Sequence, residues 1–421
     1  MTVDVAPASP AGRTAPIFWV LLAAAGCFAL TMGARQSMGL YLGTINTHTG
    51  LGLASISLAF AFGQLWWGLT QPFAGMLADR VGAGRAIVAG VLMVAVGTAL
   101  IPHMTTTVGL IFAIGILAAG GAGMAGPSVL MAATTRLIPP EKRGMASGIV
   151  NAGGSFGQFI FAPLAQGLTV ATGWINSLHI LGAITLLALP AAWLLRGNAR
   201  HLAVAAPGQA AVETTREAIA RAVADPSYRL LCAGFFVCGF HVAFLATHLP
   251  GVVASCQLSP TVGAWALGMV GLFNIVGSIG IGWLMSYRGG RFRMKDLLAC
   301  IYAARAVAVL IFLLAPKTEA VVLVFAAAMG LTYLSTVPPT AGLVARFFGP
   351  AHMATLFGVA LFVHQLGGFL GAYLGGKAFE WTGSYDWMWI ADVLLAVGAA
   401  LANLPIREAR NPPPAGALHA A

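Results

Sequence analysis

Gly75-Met76-Leu77-Ala78-Asp79-Arg80-Val81-Gly82-Ala83-Gly84-Arg85 is a short polar stretch set between two long apolar runs. It holds one acid, two arginines and three glycines. A weaker copy, Gly282-Trp283-Leu284-Met285-Ser286-Tyr287-Arg288-Gly289-Gly290-Arg291, lies some two hundred residues further on. Each copy falls between the second and third apolar runs of one half of the chain. A signal that recurs at the same place in two halves reads as a duplication.

The composition says where such a chain resides. Of its 421 residues, 59% are hydrophobic and 8% are charged, whereas a soluble domain carries about a quarter charged residues. This chain cannot present an ordinary aqueous surface, so it is a membrane protein whose main partner is the lipid bilayer. The net charge of +10 is not a nucleic-acid footprint, because no basic domain or aromatic–basic platform accompanies it. The five cysteines (Cys27, Cys232, Cys238, Cys256 and Cys300) are odd in number, contain no CxxC and lie mostly in apolar runs. They read as small hydrophobes, with no disulfide framework or metal site.

A bilayer core about 30 Å thick needs roughly 20 apolar residues in a helix. Runs of that length occur at about 17–43, 54–78, 86–102, 107–133, 144–170 and 177–195, then at about 229–255, 262–286, 296–316, 319–345, 352–376 and 386–404. The expectation is an all-α membrane protein of twelve transmembrane helices in two six-helix pseudo-symmetric halves, 17–195 and 229–404. Residues 1–16 and 405–421 are expected as tails, the first disordered, and the first apolar run as a retained helix. Residues 196–228 form the linker, with a short surface helix over 212–223.

Of the 22 Lys and Arg residues, eighteen fall in the tails, the linker or alternate inter-run segments, two (Lys317 and Lys377) on the opposite side, and two (Arg35 and Arg305) within spans. By the positive-inside rule both termini are cytoplasmic. The repeat shows again where Arg136, Pro140, Gly148 and Gly157 match Arg346, Pro350, Gly358 and Gly367 at a constant offset of 210. Gly123-Met124-Ala125-Gly126-Pro127 and Val337-Pro338-Pro339-Thr340 interrupt the fourth and tenth runs. Paired interruptions in corresponding segments point either to a transport pathway or to packing kinks.

The stretch at Gly75–Arg85 resembles the signature loop of the major facilitator superfamily, matching at Gly75, Leu77, Asp79, Arg80 and Gly82. Span number, parallel halves and central linker agree with it. Within that superfamily, Lys142-Arg143-Gly144-Met145-Ala146-Ser147-Gly148-Ile149-Val150-Asn151-Ala152-Gly153 is similar to the fifth-span signature of the monocarboxylate porters and the bacterial oxalate–formate exchangers. The group's first-span acidic signature is absent, and Asn274 and Ser278 stand where its eighth span carries Asp and Arg. The resemblance implies a secondary carrier of the bacterial inner membrane that moves a small organic anion, most simply a monocarboxylate, by alternating access. A monomer without cofactor is expected, with a proton or counter-anion as co-substrate. Efflux of a drug or lipophilic metabolite, and metabolite sensing without transport, are the competing readings.

Charges inside a bilayer are costly and so are functional candidates. Arg35, in Gly33-Ala34-Arg35-Gln36, offers a planar fork that suits a carboxylate; snorkelling to the outer interface is its alternative role. The resemblance places the monocarboxylate carriers' Lys beside it, where Gln36 stands. Arg305, about 13 Å into the ninth span at helical rise, serves either binding or structure. His241, His364 and Gln365 are candidates for binding or proton carriage, or for interhelical hydrogen bonds. Tyr333 and Asn151 complete the set, and Gln64 and Asn274 are further polar groups in apolar runs. No Asp or Glu is expected at the midplane, with Asp392 in the outer third of the last span. Asp79 is expected to latch the cytoplasmic side onto the start of the eleventh span, with Arg80, Arg85, Arg136 and Arg143 in the same charge layer. Ser286 replaces Asp79 in the second copy. ATP-loop and HExxH patterns are missing, which argues against an enzyme of those kinds.

Overall fold

The computed structural model describes residues 16–139, 142–196, 215–287, 291–349 and 353–408. The expectations for the first fifteen residues, for most of the linker and for the end of the tail lie outside these. So do the side chains of Asp79, Arg136 and Arg143.

Among the described residues, eleven helical stretches are long and apolar enough to cross a membrane. These are α1 (Ile17–Thr49), α2 (Leu53–Val81), α3 (Ala83–Leu100), α4 (Thr107–Thr134), α6 (Trp174–Leu194), α7 (Pro226–Ser255), α8 (Pro260–Ser286), α9 (Met294–Leu314), α10 (Glu319–Phe348), α11 (Met353–Thr382) and α12 (Asp386–Asn403). The twelfth, α5 (Arg143–Thr172), is a 30-residue helix. Asn151, Ser155, Gln158 and Gln166 dilute its hydropathy; Ser155 and Gln158 are buried, and the helix packs between α1 and α8. The linker contributes a surface helix, Thr215–Ala224. The end of the bundle where α1 begins is called the near end below, and the opposite one the far end.

The quoted stretch is barely a loop. α2 runs through it to Val81 and α3 restarts at Ala83, so the turn is Gly82 alone. Its φ of +95° is a conformation that side-chain-bearing residues rarely adopt. Side-chain caps stand at the starts of α4, α7, α8 and α10, from Thr106, Asp225, Ser259 and Thr318. Asp225 accepts from the amides of Ser227 (2.7 Å) and Tyr228 (3.2 Å) ahead of α7, with Pro226 at its first position.

In lipid, helices associate by close packing of small residues rather than by the hydrophobic effect. The two halves do this equivalently. Gly157 of α5 lies against the Ala29 carbonyl of α1, and Gly367 of α11 lies against the Phe236 carbonyl of α7. A Cβ at either glycine would overlap that main chain. Between the halves α2 packs on α11 and α5 on α8.

Both expected interruptions are present. α4 breaks at 125–126 before the segment Pro127–Leu137, and α10 breaks at 333–336 before Val337–Phe348. Backbone groups freed within a membrane need partners. In α10 Arg305 donates to the carbonyls of Thr332 and Tyr333, the latter at 2.6 Å, and the Leu334 amide donates to Asn274 Oδ1 at 3.0 Å.

Candidate substrate site

Arg35 stands at the end of the first helical segment of α1, where the chain tightens into the turn Met38–Tyr41. Its guanidinium is directed into the bundle. Nη2 donates to Gln64 Oε1 at 2.6 Å, and Cζ lies 5.2 Å from the centroid of the Trp67 ring, one turn further along α2. Gln64 is eleven residues into a 29-residue helix, about 17 Å at helical rise, so Arg35 is anchored in the middle third of the bundle. The interface snorkel is not the arrangement found. Among the described residues no carboxylate lies within ion-pair distance of Arg35.

Arg35, Gln36 and Gln64 line a small cavity of about 30 Å³, with Phe60, Ile114 and Thr247 completing its wall. That is room for two or three waters, since one water needs about 10–15 Å³ on this measure. Gln36 Oε1 is buried without a hydrogen-bond partner among the described residues. Gly68 admits α11 from the other half: a Cβ there would lie 2.6 Å from Gln365 Cγ. Gln365 therefore sits beside Gln64, with its own Nε2 buried and unsatisfied. Tyr333 is an electrostatic neighbour of Arg35, and its hydroxyl donates to the Val242 carbonyl at 3.1 Å.

The cavity is closed toward the far end. Gly39 of α1 sits directly on the main chain of Ala246 and Thr247 in α7. Glu380 of α11 accepts from the Ala54 amide at 2.7 Å, which caps the start of α2 from the opposite half. Toward the near end, the segments Pro127–Leu137 and Val337–Phe348 find their main partners within their own halves.

The other expected residues lie elsewhere. His241, fully buried near the middle of α7, turns away from Arg35; its Nε2 is 3.4 Å from Asp392 Oδ1 on α12. The expectation that no acid reaches the midplane is therefore corrected. His241 is fifteen residues into a 30-residue helix, and Asp392 faces it at that depth. Position along α12 misled because the helix has only 18 residues. Around this pair stand Arg305 and Tyr302 of α9, and Cys238 one turn earlier on α7, whose Sγ is 3.5 Å from Arg305 Nη2. Arg305 thus serves the break in α10, within the second half. His364 packs at a tilt against Phe235 (4.6 Å between centroids, 49° between planes), and its Nδ1 is 3.4 Å from Gln365 Oε1. Asn151 is exposed beside Met131 and does not reach the cavity. Arg80 and Arg85 are exposed at the near end.

Sequence reasoning singled out Arg35, Gln36, Gln365 and Tyr333, which the fold brings together. It missed Trp67, Thr247 and Glu380. Trp67, three residues after Gln64, was findable from helical spacing; Thr247 and Glu380 depend on how the halves meet.

A family model described as Major Facilitator Superfamily matches residues 21–372 and, in a second match, 231–419. The "Uncharacterized MFS-type transporter YcxA" of Bacillus subtilis (strain 168) is 24% identical over 392 residues, covering 89% of this chain and 91% of that protein. Monocarboxylate transporter 13 of Rattus norvegicus is 24% identical over 398 residues, covering 92% and 88%. The oxalate:formate antiporter of Oxalobacter formigenes is 29% identical over 156 residues, 37% of this chain and 36% of that one. Among solved structures, a bacterial homologue of the human lysosomal transporter Spinster, in an inward-facing and occupied conformation, superimposes with a TM-score of 0.71 at 18% identity, covering 92% of this chain and 96% of that one. With twelve helices in two matched halves and a family model that spans most of its length, the chain belongs to the major facilitator superfamily.

Proposed function

We propose that this protein moves a small organic anion, in the first instance a monocarboxylate, across the membrane by alternating access. The observation that carries the reading is Arg35, a membrane-embedded cation with no acid within ion-pair distance among the described residues, held by Gln64 and Trp67 where the halves meet. An uncompensated charge there is costly, and a carboxylate that forks onto the guanidinium relieves the cost. The small cavity favours a substrate of few heavy atoms. The monocarboxylate and oxalate:formate names of the relatives agree with this class.

His241 and Asp392 give a proton a place to reside within the second half, so symport of the anion with a proton is the coupling we favour over exchange. The near end is the cytoplasmic side of a bacterial inner membrane, on the Lys and Arg count, and the Gly39 and Glu380 contacts form the closed outer gate. The protein acts as a monomer, and as a carrier rather than an enzyme.

The test uses purified protein in liposomes with labelled formate, acetate, lactate, pyruvate and oxalate, with and without an inward proton gradient. Uptake of at least one anion, reduced at least tenfold by Arg35→Gln at equal insertion, is expected. Wild-type uptake by Arg35→Gln would refute the assignment. Tight binding with no uptake would favour a sensor, and export of lipophilic compounds alone an efflux carrier.

A further inference from the structure

The near end holds a second, larger recess, outside the helices that surround Arg35. It forms where the one-residue turn at Gly82 brings three helix ends together. Arg80 closes α2, Arg85 opens α3, and Arg196 follows α6. Gly84 makes the convergence: a Cβ there would lie 2.7 Å from the Ala192 carbonyl and 2.9 Å from Arg196 Cβ. The three guanidinium groups border a space of about 1150 Å³. Among the described residues none of the three has a carboxylate within ion-pair distance. Arg196 lies over Trp193, with Cζ 4.7 Å from the ring centroid.

The rest of the wall is apolar and faces outward. Val88 and Leu92 of α3 and Trp193 of α6 are 37%, 43% and 64% exposed, and Leu189 stands beside them. Leu92 is seven residues beyond Arg85, about 10 Å along the helix axis. The recess is therefore charged at the bundle's end and oily one to two turns deeper, on the side that meets hydrocarbon. A soluble phosphate would use the first part alone. A phospholipid would use both.

We propose that this recess is a binding site for an anionic phospholipid of the near-end leaflet. Its phosphate is held by Arg80, Arg85 and Arg196, and its acyl chains lie along Val88, Leu92 and Trp193. Arginine forks match phosphate oxygens, and basic clefts between membrane helices at the membrane surface suit such headgroups. The exposed indole of Trp193 sits at the level where aromatic rings anchor at the interface. On this assignment Arg80 and Arg85 face lipid, and the cytoplasmic latch expected of the signature stretch falls to Asp79 alone.

Native mass spectrometry of the purified full chain in detergent tests this, with phosphatidylglycerol, cardiolipin, phosphatidylcholine and inorganic phosphate as separate probes. The anionic lipids should bind at least tenfold tighter than phosphatidylcholine. The triple variant R80Q/R85Q/R196Q should lose that preference, while R291Q/R293Q/R407Q, which removes near-end charge outside the recess, should keep it. Trp193→Ala with Leu92→Ser should weaken lipid binding severalfold, whereas a phosphate-only site would not respond. The single variant Arg196→Gln, at the exposed end of α6, gives a partial loss should the triple fail to fold. Retention of the preference by the triple, equal loss in both triples, or displacement of lipid by inorganic phosphate would overturn the proposal.

Discussion

Glu380 offers the most direct measurement of how the halves hold together. Its Oε1 accepts from the Ala54 amide at 2.7 Å, and the two residues belong to opposite halves, 326 positions apart. The bond can exist only while the far ends of α2 and α11 meet. Gly52 leaves the space for it, since a Cβ there would lie 2.7 Å from the same oxygen. A hydrogen bond to a charged group contributes about 1.5–3 kcal/mol. The Glu380 side chain is 32% exposed and has Lys377 at 3.7 Å, so the lower end, about 1.5 kcal/mol, is appropriate. Glu380→Ala should then raise the population of far-end-open molecules about tenfold, at 1.4 kcal/mol per factor of ten. Glu380→Gln keeps an acceptor but loses the charge and its attraction to the start of α2, about 0.5–1 kcal/mol, for a two- to fivefold change.

Hydrogen exchange read by mass spectrometry on the peptide covering residues 50–60 reports this opening. Exchange should accelerate about tenfold in the Ala variant and less in the Gln variant. The start of α9 is the internal control. The Met294 and Lys295 amides are capped by Glu408 at the near end, at 3.2 Å and 3.0 Å, and should not change. Unchanged exchange at 50–60, or equal acceleration at 294–295, would refute the reasoning, the second because it would mean general loosening.

Four further outcomes are expected. Arg35→Gln should reduce carboxylate uptake by one to two orders of magnitude, the equivalent of about 1.5–3 kcal/mol for a charge-assisted contact, and Arg35→Lys should recover only part of it because the fork is lost; initial rates in liposomes measure both. Asp392→Asn should abolish uptake driven by a proton gradient while sparing one-for-one exchange of the same labelled anion, and loss of both modes together would count against a coupling role. Gly157→Ala and Gly367→Ala should each destabilise the protein by about 1–3 kcal/mol through overpacking, seen as a lower Tm in detergent. Gly39→Ala, which sets a methyl against the Ala246 carbonyl, should hold the far end partly open and raise labelling of a cysteine placed at Gln36.

Helix number, breaks and duplication were legible in the sequence because each depends on local composition or on a constant offset. Arg35 was legible for the same reason, since a charge in an apolar run must be accounted for wherever it points. The azimuth of a side chain was not. His241 lies on a helix that is buried nearly all round, so periodicity could not tell the face toward Arg35 from the face toward α12. Asp392 was misplaced because distance along a helix equals depth only when that helix starts at the membrane boundary. Glu380 was hidden for another reason: its partner is a main-chain amide of the other half, and no residue type marks that.

The latches do not follow the duplication, and this bears on how the halves move. An offset of 210 carries Gly157 onto Gly367, and carries Val170 onto Glu380. The equivalent of the far-end acid in α5 is therefore a valine, which cannot cap α8. At the near end the expected latch residue Asp79 of α2 corresponds to Ser286 of α8. Both acids fall on the single antiparallel pair α2–α11, one at each of its ends. The related pair α5–α8 is joined near its middle instead, where Asn274 Nδ2 donates to Ser155 Oγ at 2.7 Å. A bond near the middle of two crossing helices survives a rocking motion that opens either end, whereas an end cap does not. Under the alternating access proposed above, the α2–α11 seam is the one expected to be made and broken, with α5–α8 as its pivot. Removing the bond with Ser155→Ala should shift both ends alike, while Glu380→Ala shifts the far end alone.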